Sequence, residues 1–131
     1  MQPIVISPLE NATGRLQEIL KLPVDDVVRD ATVQRFEYTF ELGVKLIKRF
    51  LKEVYNLDED FYLDMLKSAV KYELISNIEL WKQFKLTRNY TSHNYSENGA
   101  NYSYNQAALF LPEIQKTILK MQELNQKIQN G

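Results

Sequence analysis

Val33, Phe36, Phe40, Val44, Ile47, Leu51 and Val54 recur at steps of three and four, the spacing that gathers side chains on one face of an α-helix. A stripe this long must be covered by other elements of the fold. The remaining apolar residues are also spaced for helices, and no segment alternates as a strand would. Pro23 breaks the chain before this helix, and Asp25 and Asp26 place negative charge at its positive end. Upstream, Ser7-Pro8-Leu9-Glu10 reads as a start: Ser7 as cap, Pro8 in the first turn and Glu10 closing a capping box, for a helix ending near Lys21.

Downstream, the turn Tyr55-Asn56-Leu57-Asp58 leads to a third helix with Phe61, Met65, Leu66 and Val70 inward. Ser76-x-x-Glu79 is a second capping box, opening a fourth helix that buries Ile78, Trp81 and Phe84. From Asn89 to Asn105 the pattern breaks into Asn, Tyr and Ser around Gly99, predicting a loop or frayed helix end. Leu111, Ile114, Ile118, Met121, Leu124 and Ile128 mark a last helix, which Pro112 either starts or kinks. The expected architecture is an all-α, antiparallel up-and-down bundle of about five helices, forming one domain over residues 1–131. Bundles host unrelated functions, so function must be read from particular residues.

Composition narrows the choices. Hydrophobic residues at 44% and charged residues at 25% suit a folded globular chain rather than a disordered one. Sixteen basic against seventeen acidic residues exclude a surface built throughout for nucleic acid, so contact with RNA must be local. The absence of cysteine removes disulfides, thiol catalysis and cysteine metal sites. No basic leader precedes the short apolar run at Met1–Ile6, and no later run reaches about 18 apolar residues. A cytoplasmic protein without a membrane anchor is expected, so the sequons at Asn11, Asn89, Asn94 and Asn101 are set aside.

The chemistry concentrates in Lys82-Gln83-Phe84-Lys85-Leu86-Thr87-Arg88-Asn89-Tyr90-Thr91-Ser92-His93-Asn94-Tyr95, which holds the chain's one histidine. Histidine moves protons at neutral pH, and arginine keeps its charge and grips phosphate. The pair suits metal-free RNA cleavage, in which the ribose 2′-hydroxyl attacks the adjacent phosphorus. No metal or cofactor is called for. On a straight helix Arg88 and His93 lie about 140° apart, so either the helix ends between them or two subunits combine their motifs across a two-fold axis. Lys82, Lys85 and Arg88 fall at three-residue steps, a strip able to guide RNA. The plainer alternatives are a structural histidine, an arginine favouring a helix C-terminus and a solvated lysine face. Tyr90, Tyr95, Tyr102 and Tyr104 are either packing aromatics or hydroxyls reaching solvent. Glu37 and Glu41, one turn apart, could serve as metal ligands or as acid and base, but Glu41 with Lys45 reads more simply as a surface pair.

Two stretches carry a family resemblance. Arg29-Asp30-Ala31-Thr32-Val33-Gln34-Arg35-Phe36-Glu37-Tyr38-Thr39-Phe40-Glu41-Leu42 is similar to the second-helix signature of nucleotidyltransferase substrate-binding proteins. Arg88-Asn89-Tyr90-Thr91-Ser92-His93-Asn94-Tyr95 resembles the Arg-x4-His-x-Tyr motif of HEPN toxins. The resemblance implies a HEPN bundle, usually homodimeric, paired with a minimal nucleotidyltransferase as toxin and antitoxin. It further implies a metal-independent ribonuclease site of Arg88 and His93 at a dimer cleft, supported by Asn89, with Tyr95 as AMP acceptor (AMPylation). The alternatives are a non-enzymatic substrate-binding accessory subunit of the transferase and a purely structural helical adaptor.

Overall fold

The computed structural model describes residues 1–91 and 96–131. Within them the chain forms α1 (Ser7–Leu20), α2 (Asp26–Tyr55), α3 (Tyr62–Lys71), α4 (Ile78–Thr91) and α5 (Glu97–Asn130), and no strand. The expected helical bundle is the fold. Asp25 caps α2, its Oδ1 accepting the Val28 N–H at 2.7 Å. At the other end Asn56 takes the left-handed conformation with φ 56°, which asparagine tolerates. The Leu57 N–H then reaches back to the Leu51 carbonyl at 3.0 Å, satisfying a carbonyl of the last turn.

The α2 stripe meets α4 and α5 in an aromatic cluster. Phe110 lies 5.2 Å from both Phe36 and Phe84 and 5.7 Å from Trp81, centroid to centroid and edge-on, the geometry that ring quadrupoles favour. Phe36, Phe84, Phe110 and Trp81 are fully buried. Gly43 lets α5 come close to α2: a Cβ there would stand 2.9 Å from Ile114 Cδ1. The N-terminal segment is tied to α5 by the Asn125 side-chain amide. Its Oδ1 accepts the Ile4 N–H and its Nδ2 donates to the Ile4 carbonyl, both at 2.8 Å.

Several local expectations are corrected. Ser7 is the first residue of α1, follows Ile6 as cap and makes no capping bond; Glu10 instead accepts a hydrogen bond from Gln122 Nε2 at 2.8 Å. The Ser76–Glu79 box is replaced by Asn77, whose Oδ1 accepts the Leu80 N–H, while the Ser76 hydroxyl donates to Glu113 on α5. Phe61 precedes α3 and is exposed, as is Val70; Ala69 takes the buried place beside Met65 and Leu66. The expected loop is the largest difference. α4 extends through Thr91, and α5 begins at Glu97, capped by Ser96 Oγ accepting the Gly99 N–H at 3.1 Å. Pro112 therefore lies inside a 34-residue helix rather than at its start.

Candidate functional site

Arg88 stands in the last turn of α4 and reaches across to α2. Its Nε donates to Glu41 Oε1 at 2.8 Å, its Nη2 pairs with the same oxygen, and its Nη1 lies 3.6 Å from Glu37 Oε2. Glu37 and Glu41 are one turn apart and so present both carboxylates to the same guanidinium. The side chain of Arg88 keeps 28% of its surface exposed, and those of Glu37 and Glu41 keep 27% and 49%. The cluster is half-sheltered. Two carboxylates around one arginine fix the plane of its fork and offset its charge.

This arrangement revises the reading of the two glutamates. Glu41 meets Arg88 rather than forming an ordinary pair with Lys45, and Glu37 joins it. Among the described residues no group of three or more His, Asp or Glu side chains is placed to hold a metal ion. The signal available in the sequence was the pair of acids one turn apart on α2, matching a strip of positive charge on α4. The 47 positions between Glu41 and Arg88 hid the partnership.

The basic strip is not an open row. Lys82 pairs with Glu79 at 3.4 Å on its own helix, and the Lys85 ammonium sits 4.5 Å from the centre of the Tyr62 ring, a cation–π contact. The Tyr62 hydroxyl donates to the Trp81 carbonyl at 2.8 Å, and burial raises its pKa well above the ordinary tyrosine value. Each member thus has a different partner, from α4, α3 or α2. Asn89 lies exposed beside Arg88.

His93 and Tyr95 lie outside the described residues, as does the relation of His93 to Arg88. The helices on either side meet through Tyr90 and Gly99: a Cβ at Gly99 would stand 2.8 Å from Tyr90 Cε1 and 3.1 Å from its hydroxyl oxygen. Around this contact Leu86, Thr87, Tyr90, Asn98, Gly99 and Tyr102 line a hollow of about 400 Å³. Tyr90 and Tyr102 reach solvent and Tyr104 is half-buried, so the three described tyrosines divide between the two roles considered. No described helix is long and apolar enough to cross a membrane.

Comparison with known proteins adds to this geometry. Residues 5–123 match the family described as nucleotidyltransferase substrate binding protein like. A Haemophilus influenzae protein named probable ribonuclease HepT is 30% identical over 107 residues, spanning 79% of this chain and 73% of the relative. Among solved structures, a Thermus thermophilus protein superposes with a TM-score of 0.80 at 26% identity, covering 86% of this chain and 98% of its own. Another, from Haemophilus influenzae, superposes at 0.81 with 25% identity and covers 90% and 99%. It is described as having the fold of a substrate binding domain of a nucleotidyltransferase. On the match from residue 5 to residue 123, the chain belongs to the nucleotidyltransferase substrate binding protein like family.

Proposed function

We propose that the chain is a metal-independent endoribonuclease, the toxin of a toxin–antitoxin pair, and that its site consists of Arg88 and His93 with Asn89 in support. The observation that carries the reading is the oriented Arg88, five residues before the one histidine in a relative of a probable ribonuclease. In the reaction the 2′-oxygen attacks phosphorus as its proton is removed, and the 5′-oxygen leaves as it gains one. The products are a 2′,3′-cyclic phosphate and a 5′-hydroxyl. His93 moves the protons and Arg88 stabilises the charge on the pentacoordinate phosphorus. A two-fold homodimer supplies two histidines, one for each proton transfer. Lys82 and Lys85 guide the RNA once their resident partners yield.

The cognate minimal nucleotidyltransferase acts as antitoxin. The Tyr95 hydroxyl oxygen attacks the α-phosphorus of ATP, pyrophosphate leaves and the phenolic proton is lost. The attached AMP places an anion two residues from His93 and competes with RNA for Arg88. Both steps belong in the cytoplasm, where RNA and ATP are available. A second reading, a non-enzymatic subunit presenting substrate to the transferase, is favoured by the description of the Haemophilus structure.

The test is growth after induced expression without the partner, comparing the parent with Arg88→Ala and His93→Ala at matched protein levels. The ribonuclease reading expects arrest by the parent alone, with cleaved RNA ending in cyclic phosphate. A harmless parent would overturn it and leave the accessory role standing.

A further inference from the structure

The chain has arginines at positions 15, 29, 35, 49 and 88. Arg29 meets Asp26 and Asp30, Arg49 meets Glu53, and Arg88 meets Glu37 and Glu41. Among the described residues, neither Arg15 nor Arg35 lies within ion-pair distance of a carboxylate, and both line the same hollow of about 460 Å³ between α1 and α2. Arg35 is anchored there by its Nη1, which donates to the Arg15 carbonyl at 2.7 Å. The small side chains of Ala12 and Ala31 form part of the wall. Like charges lining one hollow repel each other, and an anion placed between them removes that cost.

The other lining groups narrow the anion. Tyr38 borders the hollow with 59% of its surface exposed, an aromatic face on which a planar base can stack. Gln34 adds an amide that both donates and accepts. Forked guanidinium groups match phosphate oxygens, and the volume falls within the range of small-ligand pockets. Tyr38 is followed about one turn later by Glu41, so the hollow adjoins the clasp on Arg88, roughly 5 Å along the α2 axis.

We propose that Arg15, Arg35 and Tyr38 form a nucleoside-phosphate subsite, with phosphate on the guanidinium pair and an unpaired base on the tyrosine ring. The choice of a nucleotide over other anions rests on the function proposed above, whereas the site itself is separate from the Arg88 motif. Its ligand is either a nucleotide unit of an RNA strand that also reaches Arg88 or a free nucleotide.

Binding of AMP and of a short single-stranded 2′-O-methyl RNA is measured with the full chain. That RNA lacks the attacking hydroxyl, so binding is read without cleavage. Arg15→Gln and Tyr38→Ala each weaken binding at least fivefold, while Tyr38→Phe stays within twofold because stacking survives. Arg49→Gln, remote and paired, changes nothing, and circular dichroism verifies that each variant is folded. Loss with AMP assigns the subsite to free nucleotide, and loss with RNA alone assigns it to the strand. Parental binding of neither ligand overturns the proposal, as does affinity within twofold for both Arg15→Gln and Tyr38→Ala. A protein that binds in this way and cleaves no RNA refutes the ribonuclease reading and leaves the subsite standing.

Discussion

The Arg88–Glu41 contact makes a prediction that does not depend on catalysis. Two unit charges about 4 Å apart interact by ~4 kcal/mol at an effective dielectric constant of about 20. Arg88 and Glu41 keep 28% and 49% of their side chains exposed, so solvent screens most of that attraction. The 2.8 Å hydrogen bond keeps the remainder above an ordinary surface pair, leaving a coupling of about 1–2 kcal/mol. A double-mutant cycle of Arg88→Ala, Glu41→Ala and their combination measures it through urea unfolding. The fully buried Trp81 serves as the fluorescent reporter. The same cycle with Glu37, whose contact is a 3.6 Å ion pair, is expected at about half a kcal/mol. High salt should reduce both. A coupling below about 0.3 kcal/mol between Arg88 and Glu41 would show that the clasp does not hold in solution, and with it would go the argument for an oriented guanidinium.

Two further outcomes concern the bundle. Phe110→Ala empties the centre of the aromatic cluster and should cost about 3–5 kcal/mol by urea unfolding; a loss under about 2 kcal/mol would mean the surrounding rings collapse into the gap. Tyr62→Phe removes the bond to the Trp81 carbonyl and should cost about 1 kcal/mol at neutral pH. The folded pKa of Tyr62 is raised, so its contribution is complete below about pH 10, where the unfolded tyrosine ionises, and is lost as pH rises through the folded value. The parent should therefore lose stability more steeply than Tyr62→Phe above about pH 10, and parallel unfolding profiles would refute that account.

The α2 stripe was legible because one periodicity ran without interruption, and Val33, Phe36, Phe40, Ile47 and Leu51 are buried as it required. Starts were harder to read. Serine is a good cap in several registers, so Ser7 and Ser76 matched a capping pattern that the chain does not use, whereas Asn77 and Ser96 form capping bonds. The opening of α5 escaped for a different reason: its inner face includes Gly99, Ser103, Gln106 and Ala107. Such a face carries little hydrophobic signal, although small residues let helices approach closely. For the candidate site, the sequence made the motif visible but not its clasp. Local helix spacing paired Glu41 with Lys45, while the fold brought Arg88 from a distant helix. Lys85 likewise reads as a solvated cation because Tyr62, its ring partner, lies on another element.

The Asn125 clamp on Ile4 bears on how the protein is handled. Both backbone polar groups of Ile4 are held by one amide, and its side chain is 2% exposed. A purification tag joined ahead of Met1 departs through exposed residues and need not disturb the clamp. Trimming the chain back to Val5 would instead uncover the Asn125 amide and open a gap beside α5 at the end remote from the motif. Preparations trimmed in this way would lose stability for reasons unrelated to Arg88 or His93, so activity comparisons belong on chains that retain Ile4.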